Sequence, residues 1–295
     1  MSNETQCILN ANPDICGIGV RVSIYIQSFL DLTLTILAFE QDQLATTVKT
    51  TLITATSLIL SGFIQFHLSN GLSLFEADVV TQLISIKLAG IIRLPRSYIT
   101  IITHAIYQVL YVIFVYWVWS EPGKFGSQPD CNGTVVWAHL FGHIIYATDR
   151  GVRIFVLIFN TVFTLYTIRM LLDLAVLVGF KLGKLRHSAG PDRLGRLSWP
   201  DGVNLGQFGV IIYLIVVTEL SIQGNRVQSV VSQWSFGQTL SVLLVLPSLL
   251  EVCERVFELL KVVKGEKGEK GDIESHIPTD VEGEIICSGF GLTHS

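Results

Sequence analysis

Asn12 to Gln27 reads NPDICGIGVRVSIYIQ, and here a polar arm turns into a long apolar helix. Pro13 and Asp14 favour a helix start. Proline is preorganised for the first helical position, and an Asp carboxylate accepts from backbone N–H groups that have no partner. Gly17 and Gly19 strip bulk from the next turn, so another helix can approach closely. Arg21 follows inside an otherwise apolar run, where a charge is costly unless it is paired or reaches an interface. The stretch predicts a membrane-crossing helix whose charge needs a reason.

The rest of the chain supports that reading. Of 295 residues, 50% are hydrophobic and only 15% charged, where soluble domains carry about 25% charged residues. With a mean hydropathy of +0.54, lipid is expected as the main solvent. The net charge of −4 argues against nucleic acid, which selects a basic face. The first eleven residues lack a basic segment followed by an apolar one, so the first span is expected to serve as its own insertion signal.

Counting stretches of roughly 20 apolar residues predicts an all-α fold of seven spans. They cover about 17–39, 50–68, 77–92, 97–119, 152–180, 202–223 and 227–250. The third is the weakest, being short and holding Gln82 and Lys87 before Pro95. Residues 135–148 are apolar but too brief to cross, and are expected as a half-buried interfacial helix. The last span is expected to run on to about 263 as a charged amphipathic helix. The organisation expected is an arm (1–16), a membrane domain (17–263) and a disordered tail (264–295) that opens with KGEKGEKGD.

Basic residues favour the cytoplasmic side. Arg93 and Arg96, the 181–196 loop with Lys181, Lys184, Arg186, Arg193 and Arg196, and Lys261 and Lys264 all fall on one side of a seven-span chain. The two N-x-S/T sequons, at Asn3 and Asn132, fall on the other, as glycosylation requires. The N-terminus is therefore expected outside and the C-terminus in the cytoplasm, with the basic loop open to a partner or to anionic lipid. Cys7, Cys16 and Cys131 then share the oxidising side. A Cys7–Cys131 bridge is preferred, with Cys16 as a rival partner and free thiols as the alternative.

The candidate chemistry is sparse. Arg169 and Asp173 are one turn apart and read as a self-neutralised pair or as part of a gate. Arg21 and Asp31 need partners elsewhere, and Glu219 is one candidate. Arg21 is expected to snorkel outward, and Glu219 to sit near the outer end of its span. His139 and His143 share one-turn spacing, and with His67 they would be the residues of a zinc site; isolated histidines are more often interfacial. No cofactor and no catalytic residue are assigned. Gly202, Gly206 and Gly209 suggest tight helix packing.

Asn12-Pro13-Asp14-Ile15, Gly17-Ile18-Gly19-Val20-Arg21, Tyr25 and Gln27 resemble the opening of a family of uncharacterised fungal multi-span membrane proteins. Cys131-Asn132, Phe141-Gly142 and LSLFEADVV at 72–80 are similar in character. The resemblance implies a seven-span fold and no established activity. Cys16 departs from it, standing where a small Ala or Ser is expected, which weakens Cys16 as a disulfide partner. Rhodopsin-like receptors fit less well, since IIRLPRSY follows the third span and Leu246-Pro247-Ser248 lies in the seventh. The leading expectation is a receptor-like, sensory seven-span protein without enzymatic activity. A transporter or channel using Asp31, Arg169, Asp173 and Glu219 is the second, and a membrane-embedded metal hydrolase the third.

Overall fold

Helix α4 (Leu74–Ala89) carries Glu76, Asp78, Gln82 and Lys87 among its apolar residues, yet it lies among the other helices. At 16 residues it rises about 24 Å, less than the roughly 30 Å of a hydrocarbon core. Its surroundings explain its composition. Helices α2 (Ile18–Leu37), α3 (Gln41–His67), α5 (Tyr98–Trp119) and α7 (Gly202–Gly224) all pack against it. Glu76, Asp78, Gln82 and Lys87 are buried along with its leucines and isoleucines. A helix wrapped by protein needs no lipid-facing stripe, and its polar groups find partners rather than hydrocarbon.

This computed structural model describes residues 7–9, 11–37, 41–68, 71–91, 98–140, 143–182, 202–227, 231–232 and 234–273. The chain is mostly helical. A short α1 (Pro13–Cys16) precedes α2, and α6 (Arg150–Leu182), α8 (Phe236–Leu243) and α9 (Leu246–Ile273) complete the α-helices described. Five helical segments are long and apolar enough to cross a membrane: Pro13–Leu37, Ala45–His67, Ile99–Trp119, Arg150–Arg169 and Gly206–Gly224. They mark the chain as a membrane protein.

Contacts give the helices their sense. Asn12, just before α1, bonds to Gln65 at the end of α3 and to Glu76 at the start of α4. Trp119, at the end of α5, packs edge-on against Trp137. Asn225, after α7, bonds to Val136. Gln238, in the first turn of α8, bonds to Pro13 and Gly19. Alternate helix ends thus meet at one end of the membrane domain, called the cap end below.

Residues 135–148 do not form the expected interfacial helix. They form an antiparallel hairpin of β1 (Val136–Leu140) and β2 (His143–Tyr146), with Val136 opposite Tyr146 and Leu140 opposite His143. Val, Ile, Trp and Tyr fit a pleated, half-buried surface better than a helix. Asn225 anchors the hairpin: its Oδ1 accepts from the Val136 N–H and its Nδ2 donates to the Val136 carbonyl, both at 2.8 Å. Ser221 donates to the same carbonyl at 2.8 Å.

The stretch expected as the seventh span is broken. Helix α8 has only 8 residues. A turn at Leu244 and Val245 separates it from α9, whose second residue is Pro247. Proline is tolerated in a first turn but not inside a helix, so the break falls there. Gly206 and Gly209, expected to be tightly packed, have nothing within 4 Å of an added Cβ.

The chain divides into two units, Met1–Val252 and Cys253–Ser295. In the second, α9 continues to Ile273, ten residues into the stretch expected as tail. Glu and Lys are good helix formers and carry the helix through the interspersed glycines. Arg255 and Glu258 pair across one turn at 3.0 Å. The basic loop from 183 to 196 and residues 274–295 lie outside the described residues.

Candidate functional site

The NPDI motif is a three-way junction. The Asn12 side chain accepts from the Asp14 N–H at 2.9 Å and so caps α1. Its amide donates to Gln65 Oε1 at 3.2 Å, and its backbone N–H donates to Glu76 Oε1 at 2.7 Å. Glu76 closes a capping box with Ser73 at the start of α4, accepting from the Ser73 N–H at 2.7 Å. One asparagine thereby ties α1, α3 and α4 together.

The glycines after it admit α8. A Cβ at Gly19 would lie 2.6 Å from Gln238 Cβ, and one at Gly237 would lie 2.8 Å from Asp14 Oδ1. In the space left open, Gln238 accepts from the Gly19 N–H at 2.9 Å and donates to the Pro13 carbonyl at 3.1 Å.

Arg21 does not snorkel to the interface. It is buried, its Nε donates to the Cys16 carbonyl at 3.0 Å, and its Nη1 pairs with Glu219 Oε1. Tyr25 donates to the same carboxylate oxygen at 2.8 Å. Glu219 keeps 46% of its side chain exposed, so the pair joins a desolvated guanidinium to a half-open carboxylate.

Asp31 has a different partner. Lys87 Nζ lies 2.6 Å from Asp31 Oδ2, with side-chain exposures of 2% and 5%. Thr51 of α3 donates to Asp31 Oδ2 at 2.7 Å. Lys87 also reaches Gln27 Oε1 at 3.4 Å, and Gln27 Nε2 donates to the Leu244 carbonyl at 3.3 Å. Coulombic attraction and the added hydrogen bonds offset the desolvation of two charges only in such a saturated cluster.

Between this cluster and the cap, Gln82 donates to Asp78 Oδ2 at 2.8 Å and to the Trp137 carbonyl at 3.3 Å. Asp78 Oδ1 and Gln82 Oε1 are buried without a hydrogen-bond partner among the described residues. Ionisable and amide groups thus mark α4 from Glu76 to Lys87. Trp137 also lines a cleft of about 540 Å³ with Ile145, Asp149, Arg150, Gly151, Val152 and Phe155. One tryptophan therefore touches both an open cleft and the buried polar groups of α4.

Other sequence candidates lie apart from this column. Arg169 is exposed on α6, and the side chain of Asp173 lies outside the described residues. His67 and His143 are exposed. The one-turn argument for His139 and His143 fails because the stretch is a hairpin with Leu140, not His139, opposite His143. Among the described residues no three His, Cys, Asp or Glu side chains gather to hold a metal.

Cys7 and Cys131 form a disulfide with Cα atoms 5.6 Å apart, and Cys16 is a buried free thiol. Asn132 corrects the glycosylation expectation. Its Nδ2, the atom that would carry sugar, is buried and donates at 2.8 Å to the carbonyls of Pro122 and Phe125. A glycan on that nitrogen is incompatible with this packing. Asn3 lies outside the described residues.

Lys87, Thr51, Gln27, Asp78, Gln82 and Trp137 were not among the site candidates. A signal existed for Lys87: it and Asp31 are opposite charges inside the third and first predicted spans. No protein-family model, curated protein or solved structure matches this chain.

Proposed function

We propose that this chain is a receptor-like membrane protein that senses at its cap end, with seven crossings, the N-terminus outside and the C-terminus in the cytoplasm. Helix α4 and the broken α8–α9 pair add two crossings to the five apolar spans. The alternation of helix ends at the cap fits that count. The 181–196 loop is the proposed contact for a cytoplasmic partner.

Trp137 carries the reading. Its side lines the open cleft, and its carbonyl holds Gln82 on α4. A ligand that shifts the hairpin must strain or break that bond, leaving a buried amide short of a partner. Helix α4 then holds two arrangements, one with Gln82 on Trp137 and one without.

The test fills the cleft by covalent means. A cysteine at Gly151, where an added Cβ meets nothing within 4 Å, is labelled with a bulky aromatic maleimide in a Cys253→Ser/Cys287→Ser background. Hydrogen exchange over 74–89 is expected to change on labelling. Unchanged exchange at full labelling overturns the proposal.

A transporter is the second reading, and the Asp31–Lys87 pair favours it, since intramembrane ion pairs mark ion and proton pathways. It predicts ion flux in proteoliposomes that disappears in Asp31→Asn and Lys87→Met. Flux unaltered by both substitutions removes it.

A further inference from the structure

We propose that the cleft beside Trp137 binds the headgroup of a phospholipid that carries both an amine and a phosphate, drawn from the surrounding bilayer. This deepens the sensing reading and rests on the cleft being its input site.

The cleft sits where the Arg150–Arg169 span begins, at the level of headgroups rather than acyl chains. It brings together opposite charges that do not neutralise each other. Arg150 is exposed, and among the described residues no hydrogen bond or ion pair engages its side chain. Asp149 Oδ2 accepts from the Tyr146 N–H at 3.1 Å, and its second oxygen has no described partner. A guanidinium matches a phosphate through paired, charge-assisted hydrogen bonds. A carboxylate beside the Trp137 ring matches an ammonium, by charge and by cation–π attraction. The Trp137 and Phe155 rings meet at 61° with centroids 6.4 Å apart, giving the cleft an aromatic wall.

What lies next to the cleft points to a lipid rather than a free solute. Phe155, Phe159 and Val162 succeed one another on one face of α6 and are 60%, 50% and 59% exposed. Phe155 and Phe159 stack at 15°. This apolar strip leaves the cleft at Phe155 and follows the span, where an acyl chain attached to the bound headgroup would lie. A soluble zwitterion would make no use of it.

The experiment is native mass spectrometry of the delipidated full chain, titrated separately with dioleoyl phosphatidylethanolamine and dioleoyl phosphatidylglycerol. Wild type is expected to retain one phosphatidylethanolamine in preference to phosphatidylglycerol. Arg150→Gln is expected to weaken both lipids about tenfold, as loss of a charge-assisted bond implies. Asp149→Asn keeps an oxygen for the Tyr146 N–H, so the turn survives. It is expected to weaken phosphatidylethanolamine alone, so that the preference disappears. Gly151→Trp, which fills the cleft, is expected to abolish retention while the unfolding midpoint is kept. Equal retention of the two lipids by wild type overturns the proposal. So does a preference untouched by Asp149→Asn, or a lipid-free dimer. Failure of the tether experiment with these lipid results intact would sink sensing and leave the lipid site standing.

Discussion

The Lys87 ammonium lies 2.6 Å from a carboxylate oxygen of Asp31, and neither side chain is more than 5% exposed. Removing one partner leaves the other charge buried and uncompensated. Asp31→Ala and Lys87→Ala are each expected to destabilise the protein by about 3–5 kcal/mol. The double variant Asp31→Leu/Lys87→Met removes both charges and is expected to recover most of that loss. Thermal unfolding of the purified proteins in detergent measures all three. Midpoints that add without recovery would show that the two residues act separately.

Gly19 and Gly206 differ in what surrounds them. At Gly19 an added Cβ meets Gln238 Cβ at 2.6 Å, whereas Gly206 faces open space. Gly19→Ala is expected to destabilise by about 1–3 kcal/mol through overpacking. Gly206→Ala has no clash and gains helix propensity, so its unfolding midpoint should match or exceed wild type. Equal losses at the two positions would contradict the packing described.

The Cys7–Cys131 bridge closes a loop with a sequence separation of 124. Cys131→Ser is expected to lower stability by about 2–4 kcal/mol. Cys16→Ser should leave the bridge intact, because Cys16 is outside it. Mobility with and without reductant, followed by peptide mapping, reads the pairing directly. A Cys16-linked peptide would overturn it.

Asn132 has both amide hydrogens engaged with the loop between α5 and the hairpin. Asn132→Ala leaves two carbonyls short of a donor and is expected to cost about 1–3 kcal/mol. Mass spectrometry of the secretory-pathway product should find the peptide containing Asn132 unmodified. Sugar at that position would show that the loop adopts another packing.

Some of this site could be read residue by residue. Arg21 inside an apolar run demanded a partner, and Glu219 was a candidate for it. Gly17 and Gly19 announced a close approach, although not that α8 would make it. Lys87 interrupted a weak span, and its charge, opposite to that of Asp31, was the signal for the pair. Hydropathy measures how well a helix suits lipid, and α4 is solvated by protein. Length alone makes residues 135–148 look like a short helix, whereas they pair as a hairpin. Their β-branched and aromatic content, with a Phe-Gly pair in the middle, was the better signal.

Composition and apolar runs determined by themselves that this is a helical membrane protein, and that its polar arm becomes helix at Asn12. Those properties depend on the transfer of each segment between water and oil, which is additive along the chain. Only the tertiary structure decided that α4 lies inside, that Asp31 meets Lys87 and Arg21 meets Glu219, and that Trp137 bridges cleft and column. Those outcomes depend on which helices become neighbours, and a buried charge is tolerable only where a neighbour supplies its counterpart.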